Sequence, residues 1–225
     1  MERLISPMQE FGLLGGCLYS IDRVLSRVSS KLRLFVYEIL VQPVATKPLL
    51  PARWAKKFSY REILEHDPEV RVIPVSSNVL KYRYKQGAIC LGAFKNGELI
   101  GYVWFCKKLY QEDEVRCLFY LEPVHSSVFD FDLYIFPKHR GSLAFAAVWQ
   151  GASNYLSNQG IEYAFSRVTR FNLVSLRSHL HLGSRSIGKA IFLRIFFWEV
   201  LISNIFPFLS LSASKNQRIK IRLHP

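Results

Sequence analysis

The sequence predicts a mixed α/β fold, in which a central and mostly antiparallel sheet is flanked by helices. Residues 88–94 and 99–109 are two strand-like runs joined by Asn96-Gly97 and its neighbours, and an Asn-Gly pair between apolar runs is a strong hairpin signal. Later in the chain a strand, a basic turn, a helix and another strand follow one another. Because a crossover helix joins parallel strands, this second pattern adds at least one parallel pair to the sheet.

The composition is that of a globular domain. Of the 225 residues 50% are hydrophobic, 21% are charged and 14% are aromatic, which excludes a disordered tail, a coiled coil and a collagen-like fibre. No Gly/Ser-rich linker and no internal repeat divides the chain. We therefore predict one domain over residues 1–225, with a core at about 32–195, an N-terminal helix within 1–31, and an apolar and then basic C-terminal extension over 196–225.

Short elements are predicted for the first third of the chain. Apolar residues at helical spacing predict an amphipathic helix over 18–30, and an apolar run predicts a strand over 32–41. Residues 45–59 combine prolines with lysines and arginines, which is typical of a surface loop or basic flap. Short helices are predicted over 60–66 and within 76–84.

The four cysteines indicate buried thiols, and they argue against a metal site or a disulfide scaffold. Cys17, Cys90, Cys106 and Cys117 are far apart, form no Cys-x-x-Cys pair and lie in apolar stretches. This pattern favours a reducing compartment. We therefore expect a cytoplasmic protein that holds no metal ion.

Residues 191–211 are apolar over a length that could span a membrane. The segment contains Arg194 and Glu199, and each charge near the bilayer centre costs about 2.5–3.5 kcal/mol. A pair of buried strands, or a strand and a helix, is therefore the preferred interpretation. Basic residues follow, from Lys215 to Arg222, so a peripheral contact of the C-terminal segment with acidic lipid is a second possibility.

The most informative strand covers residues 128–135. Apolar side chains, beginning with Phe129 and ending with Ile135, alternate in it with polar ones. Asp130 and Asp132 therefore share a face, with their Cβ atoms roughly 6–7 Å apart. Residues 115–121 form a further predicted strand.

A helix, a strand and a second helix follow. Pro137 ends the informative strand, a basic turn leads into a helix with one apolar stripe, and Gly160 is placed to end that helix. Residues 161–168 are the next strand. Asn172 is then placed as the N-cap of a second helix, which runs to about His181.

The order of elements in the predicted core resembles the GNAT superfamily of acyl-CoA-dependent N-acetyltransferases. Asn172-Leu-Val-Ser175, followed by His179 and by Leu182-Gly183, is similar to the family's Asn-x-x-Ala/Ser, Tyr and Leu-Gly at matching spacing. The resemblance implies a GNAT-like mixed sheet of six to seven strands. It also implies an acyltransferase that moves an acetyl or other acyl group from acyl-CoA directly to an amine. A plain helix with an Asn N-cap and a Gly C-cap is the alternative interpretation.

A second motif is the turn after the central strand. Ile135 to Gly141 is similar to the family's strand end, Pro and Arg-Gly before the helix. Backbone N–H groups at a helix N-terminus, beside basic side chains, suit a pyrophosphate, although a basic turn can also simply cap a core helix. The resemblance implies that acetyl-CoA or another acyl-CoA is bound by Tyr134, Ile135, Phe136, Lys138, His139, Arg140, Gly141, Ser142, Asn172 and Ser175.

Three residues are candidates for proton transfer. Asp130 and Asp132 are placed to deprotonate or orient an amine, and Asp132 is preferred because it lies nearer the strand end. By the resemblance, His179 stands where the family's tyrosine donates a proton to the leaving thiolate, and a histidine can do so near neutral pH. The alternative is that both carboxylates line a solvated face or pair with Arg116 or Arg167.

The net charge of +13 separates into an acidic middle and a basic end. From Glu98 to Asp132 there are seven acids and three bases, whereas after Glu162 there are ten Lys and Arg and one acid, Glu199. This separation fits a small-molecule or peptide amine on one side and a nucleotide cofactor on the other. The alternatives are an inactive binding protein of the same fold, or a basic protein that binds nucleic acid or a membrane surface. Nucleic acid is the less favoured partner, because no nucleic-acid-binding motif accompanies the charge.

Overall fold

A nine-stranded sheet organises the chain, for which a computed structural model describes residues 7–214 and 216–225. Residues 1–6 of the predicted N-terminal segment and Lys215 of the basic tail lie outside the described residues. The helices are α1 Pro7–Val28, α2 Ala52–Ala55, α3 Ser77–Lys85, α4 Ala144–Ser157 and α5 Leu173–His181. The strands are β1 Leu32–Pro43, β2 Phe58–Ile63, β3 Ile89–Lys95, β4 Glu98–Lys107, β5 Leu109–Gln111, β6 Cys117–Leu121, β7 Ser127–Ile135, β8 Tyr163–Thr169, β9 Arg185–Ile195, β10 Trp198–Ser203, β11 Leu209–Ser212 and β12 Ile219–Leu223.

The large sheet has the order β11-β10-β9-β1-β8-β7-β4-β3-β2, and a second sheet has the order β12-β6-β5. In the large sheet only β7 and β8 pair in parallel among the described strands. The predicted fold class is confirmed, although the large sheet has nine strands where six to seven were expected. Residues 196–225, which were predicted as an extension, contribute β10, β11 and β12 and so belong to both sheets.

Strand β1 lies near the centre of the large sheet. It is inserted between β8 and β9, which come more than a hundred residues later in the chain, and it pairs antiparallel with both. Val36, Ile39 and Leu40 are buried, as expected for a strand that is covered on both faces and therefore reads as a nearly continuous apolar run. Helix α1 packs on β1, so the N-terminal segment supplies both a central strand of the sheet and a helix that covers this strand.

The local predictions differ in their outcome. The hairpin is confirmed, since Asn96 and Gly97 have φ of 52° and 80°, the left-handed pair that a type I′ turn requires. The helix predicted over 60–66 is wrong, because Phe58–Ile63 is an edge strand that pairs with β3. Residues 191–211 form strands, and no described helix is long and apolar enough to cross a membrane.

Apolar cores lie on both faces of the large sheet. On one face α4 places Val148, Trp149 and Ala152 against β2, β3 and β4. On the other face an aromatic core that contains Trp104 and Phe129 lies between the large sheet, α3 and the small sheet. Cys90, Cys106 and Cys117 are buried free thiols, as predicted, and Cys17 is half-buried.

A buried ion pair connects the strands of the two sheets. Glu112, just after β5, accepts hydrogen bonds from Arg167 of β8 at 2.8 and 2.9 Å, and its side chain is fully buried. Burial by itself disfavours the charge of Glu112, but the charge and hydrogen bonds of Arg167 outweigh burial and lower the pKa of the carboxyl. The pair therefore stabilises the fold above the ordinary pKa of 4.5, and this contribution is lost as the pH falls through the lowered value.

We expect Glu112→Ala to lower the free energy of unfolding by about 3 kcal/mol, because it leaves the buried charge of Arg167 with only the half-exposed carboxylate of Glu114 as a partner. Urea unfolding followed by circular dichroism measures this loss. The control is Glu112→Leu combined with Arg167→Met, which removes both charges and is expected to recover most of the stability. A double variant as unstable as Glu112→Ala would contradict this account.

Candidate functional site

The candidate site lies where β7 and β8 separate. The two parallel strands pair only over residues 127–130 and 163–166. Beyond that point β7 stays paired with β4 alone, and the rest of β8 stays paired with β1 alone. The facing edges of both strands therefore carry backbone groups that have no partner in the sheet, and a wedge opens between them.

A β-bulge directly follows the last pair of this ladder. In the register of β4 and β7, Tyr102 opposes Tyr134 and Trp104 opposes Phe131, so two residues of β7 face one residue of β4. One of the two, Asp132, has a φ of 47°. A bulge bends its strand and increases the local twist, which accounts for the departure of β7 from β8 at this position.

Arg83 of α3 holds the bulge in place. Its guanidinium donates hydrogen bonds to Asp132 and, at 2.9 Å, to Asp113, and it lies over the rings of Trp104 and Phe131 at 5.5 and 5.2 Å. Burial disfavours the charge of Arg83, but the two carboxylates outweigh burial and raise its pKa. The left-handed conformation of Asp132 is thus supported by a buried cation.

Sequence reasoning missed Arg83, although a signal was present. In α3, Leu80 and Tyr84 are four residues apart and pack into the aromatic core, and Arg83 falls on the same stripe. A basic residue on a buried stripe requires a carboxylate partner. The sequence offers several acids, and only the fold identifies Asp113 and Asp132.

The two predicted carboxylates lie on opposite faces of the sheet. Asp130 pairs with Phe105, whose ring lies in the core beneath α4, whereas Asp132 bonds to Arg83 in the aromatic core. The prediction that they share a face is wrong, because the bulge interrupts the alternation after Phe131. Asp130 is buried, its Oδ1 atom has no partner among the described residues, and burial raises its pKa well above the ordinary value.

The alternative partners considered for these carboxylates are also not used. Arg167 pairs with Glu112, and the guanidinium of Arg116 donates to the backbone carbonyls of Ser212 and Ser214. Some of the acidic residues that follow β5 therefore stabilise the fold by pairing with buried arginines.

A cleft of about 560 Å³ occupies the wedge between β7 and β8. Its lining residues come from the end of β7, the following turn, the first turn of α4, and α5. They are Leu133, Tyr134, Ile135, His139, Arg140, Gly141, Ser142, Phe145, Asn172, Val174, Ser175 and Ser178.

Eight of the ten residues predicted to bind a cofactor line this cleft: Tyr134, Ile135, His139, Arg140, Gly141, Ser142, Asn172 and Ser175. The other two, Phe136 and Lys138, face a different surface depression, where Lys138 forms an ion pair with Glu98. Val174, Ser178 and Phe145 also line the cleft and were not predicted to bind a cofactor.

The turn at the end of the cleft is built as an anion site. Gly141 has a φ of 70°, and the backbone N–H groups of Gly141, Ser142 and Leu143 have no acceptor among the described residues. Arg140 donates to the carbonyl of Ile135 at 3.0 Å, which ties the turn to the strand end. Free N–H groups at a helix N-terminus, together with a fixed arginine, favour a bound phosphate or carboxylate.

The other wall of the cleft is the first turn of α5. Asn172 accepts a hydrogen bond from the backbone N–H of Ser175 at 3.0 Å, so the predicted N-cap is confirmed. Ser175 and Ser178 line the cleft one turn apart, and the hydroxyl of Ser178 donates a hydrogen bond to the carbonyl of Val174 at 2.8 Å. Leu143 lies on the surface away from the cleft, whereas the ring of Phe145 forms part of its wall.

His179 lies behind this wall and does not line the cleft. Its side chain is 4% exposed, and its ring meets the rings of Phe145 and Trp149 edge-on at 6.2 and 5.8 Å. Burial lowers the pKa of His179 to about 4, so the imidazole is uncharged at neutral pH. The structure therefore keeps Asp130, Asp132 and His179 apart: one carboxylate is in the core, the other is on the opposite face, and the imidazole is buried between helices.

We expect His179→Phe to remove an acid-dependent loss of stability. In the unfolded chain His179 takes up a proton near pH 6.5, whereas in the folded chain it does so only near pH 4. The free energy of unfolding of the original chain therefore falls by up to about 3 kcal/mol as the pH is lowered from 6.5 to 4. Urea unfolding at a series of pH values measures this slope. His181→Phe, an exposed position on the same helix, is the control and should keep it. Parallel pH profiles for the original chain and His179→Phe would contradict the prediction.

Comparison with known proteins returns structural likeness only. No family model and no curated protein sequence matches the chain. Among solved structures, a Drosophila protein is 17% identical over 81% of this chain and 58% of its own, with a TM-score of 0.49. A GNAT-family protein from Novosphingobium aromaticivorans is 13% identical over 71% of this chain and 63% of its own, with a TM-score of 0.48.

A Salmonella typhimurium protein, solved with its cofactor acetyl-CoA, is 18% identical over 56% of this chain and 79% of its own, with a TM-score of 0.39. The chain thus spans less than two thirds of the first two proteins. Sequence identities at this level carry no information about the substrate. The order of strands, basic turn and helices in this chain is that of a GNAT-like fold.

Proposed function

We propose that the cleft binds an acyl-CoA and that the chain transfers the acyl group to an amine. One observation carries this proposal, the end of the β7 and β8 ladder. Residues 131–135 have no partner on the β8 side, and the unpaired edge leads directly to the turn with free N–H groups before α4. An extended ligand with amide groups and a terminal diphosphate matches both parts of this surface.

The residues of the cleft fit the chemical parts of coenzyme A. The turn offers the N–H groups of Gly141 and Ser142 to a diphosphate, and Arg140 adds a fixed positive charge. Partial burial, and then the charges of Lys138 and Lys95, lower the pKa of His139, so the charge at this end comes mainly from Arg140. The open edge of β7 offers donors and acceptors at strand spacing to the amide arm, and Ser175 of α5 lines the same cleft.

When bound, an acyl-CoA would supply a thioester, and transfer to an amine exchanges its carbon–sulfur bond for a carbon–nitrogen bond and leaves a free thiol. In this proposal Asp132 orients the amine and accepts its proton, since the carboxylate is 28% exposed and is held by Arg83. Asp130 and His179 act as positioning residues. Asp130 lies at the last pair of the ladder, and His179 supports the wall formed by α5.

The acceptor in this proposal is a small-molecule or peptide amine. The acidic loop from Glu112 to Glu114 lies on the same face of the sheet as Asp132, but Arg116, Arg194 and Arg218 line its surface depression. In this proposal the carboxylate of Asp132, which is 28% exposed, is therefore the group that attracts a cationic amine. An inactive protein of the same fold is the alternative, and the two experiments below separate it from an enzyme.

The first experiment tests binding. Isothermal titration calorimetry with acetyl-CoA is expected to show saturable binding to the original chain. Ser175→Trp fills the cleft from an α5 position and should weaken binding at least tenfold, or about 1.4 kcal/mol. Ser157→Trp, an exposed serine at the far end of α4, is the matched control and should bind as the original chain does. Folded protein that binds neither acetyl-CoA nor a longer acyl-CoA would overturn the proposal.

The second experiment tests the chemistry. Release of free thiol from acetyl-CoA is followed with a panel of primary amines, and Asp132→Asn is expected to lower kcat by about 10²–10⁴-fold with little change in acetyl-CoA affinity. Asp113→Asn removes the other carboxylate bound to Arg83 and controls for loss of that structural charge. Equal loss in both variants would assign Asp132 a purely structural role. Binding without thiol release by any amine would indicate the inactive alternative.

A further inference from the structure

A second surface is formed by one face of β9, β10 and β11, which we call the apolar sheet face. Opposite residues of an antiparallel ladder share a face, and the registers align β9 with β10 and β10 with β11. The apolar side chains on this face are Ile191, Leu193, Ile195, Trp198, Val200, Ile202, Leu209 and Leu211. With six paired residues and three strands, the face measures about 20 Å by about 10 Å.

The apolar sheet face is open to solvent. Leu209 is 70% exposed, Ile202 54% and Trp198 49%. The helices pack elsewhere on the sheet, with α1 on β1, α4 on β2, β3 and β4, and α5 on β8. Contiguous apolar side chains that remain exposed, together with the aromatic residues of the adjoining turns, form a candidate interaction surface.

Aromatic side chains extend the apolar sheet face at both ends. Phe196 and Phe197 form the turn between β9 and β10 and are 58% and 55% exposed. Phe206 and Phe208 lie in the turn between β10 and β11 and are 74% and 63% exposed. Exposed aromatic rings at the rim of an apolar surface are typical of proteins that enter the interface of a bilayer.

The surroundings of the apolar sheet face are basic. Lys31 lies at the Phe196 turn, where its carbonyl accepts a hydrogen bond from that residue, and Lys189 is exposed on β9 on the same face as Ile191. Arg23 and Arg27 are exposed on α1, which covers the neighbouring strand β1.

After Glu162 no exposed acid offsets these charges. Glu199 is the sole acid after Glu162 in the sequence, its side chain is fully buried, and it accepts a hydrogen bond from Arg194 at 2.9 Å. The rim therefore presents positive charge around an apolar centre.

We propose that the apolar sheet face docks peripherally on an anionic lipid bilayer. The aliphatic and aromatic side chains enter the interface, and the basic rim contacts lipid phosphate and carboxylate groups. Charge decides between the possible occupants. A second copy of the chain would bring two cationic rims together, and a nucleic acid would leave the apolar centre uncovered. The surface lies apart from the cleft, so the proposal does not rest on the proposed acyltransferase function.

Sedimentation with vesicles tests the proposal on the full chain. Phosphatidylcholine vesicles that contain phosphatidylserine are expected to bind the chain, pure phosphatidylcholine vesicles to bind it weakly, and added salt to reduce the binding. Ile202→Ser with Leu209→Ser should reduce binding at least tenfold. Lys31→Gln with Lys189→Gln should reduce it by on the order of tenfold.

Matched controls lie on other surfaces. Leu64→Ser with Val72→Ser alters two equally exposed apolar residues near the β2 edge. Lys81→Gln with Lys85→Gln removes the same charge from α3, which packs on the opposite face of the sheet. Both controls should bind as the original chain does, and circular dichroism verifies that every variant is folded.

Three outcomes would overturn the proposal. The first is no binding to either vesicle type. The second is equal loss in the Lys81 and Lys31 double variants, which would indicate binding by net charge alone. The third is a dimer that Ile202→Ser with Leu209→Ser dissociates while vesicle binding is unchanged, which would assign the face to a second copy of the chain.

Discussion

The end of the hydrogen-bonded ladder between β7 and β8 is the constraint on which the site depends. Inside a sheet every backbone N–H and C=O needs a partner, and an interior strand edge without one is costly unless water or a ligand supplies it. Beyond Asp130 and Ser166, β7 and β8 no longer form hydrogen bonds with each other, because the bulge at Asp132 bends β7. The buried guanidinium of Arg83 keeps that bulge in a conformation that a non-glycine residue rarely adopts.

The charges of the chain have two separate uses. Much of the acidic middle stabilises buried arginines, as Glu112 does for Arg167 and Asp113 does for Arg83. Each of these pairs removes one acid and one base from the surface, so the net charge of +13 is carried by the remaining residues. Part of this positive charge lies around the C-terminal strands, where it surrounds exposed apolar side chains. Basic and apolar residues together define a second surface in this region.

Local chemistry was enough to predict much of the fold and half of the site. Asn96-Gly97 determines a hairpin through its own backbone preference, Asn172 caps α5 through one side chain, and Gly141 ends the turn before α4. Each wall of the cleft is formed by residues that are close in sequence, so local patterns were enough to identify many of them. The predicted helix over 60–66 failed for the complementary reason, because the pairing of β2 with β3 is a non-local interaction that outweighs local propensity.

The sequence by itself determined the order of the elements from β7 to α5, the hairpin, the turn before α4 and the capped helix after β8, since each depends on neighbours within a few residues. Only the tertiary structure decided that Asp130 and Asp132 lie on opposite faces, that Arg83 pairs with Asp132, and that β1 enters the sheet between β8 and β9. A single extra residue in a strand reverses every side chain beyond it, and the partner of a buried charge can come from anywhere in the chain. Neither can be inferred from local pattern, because both are settled by contacts between distant segments.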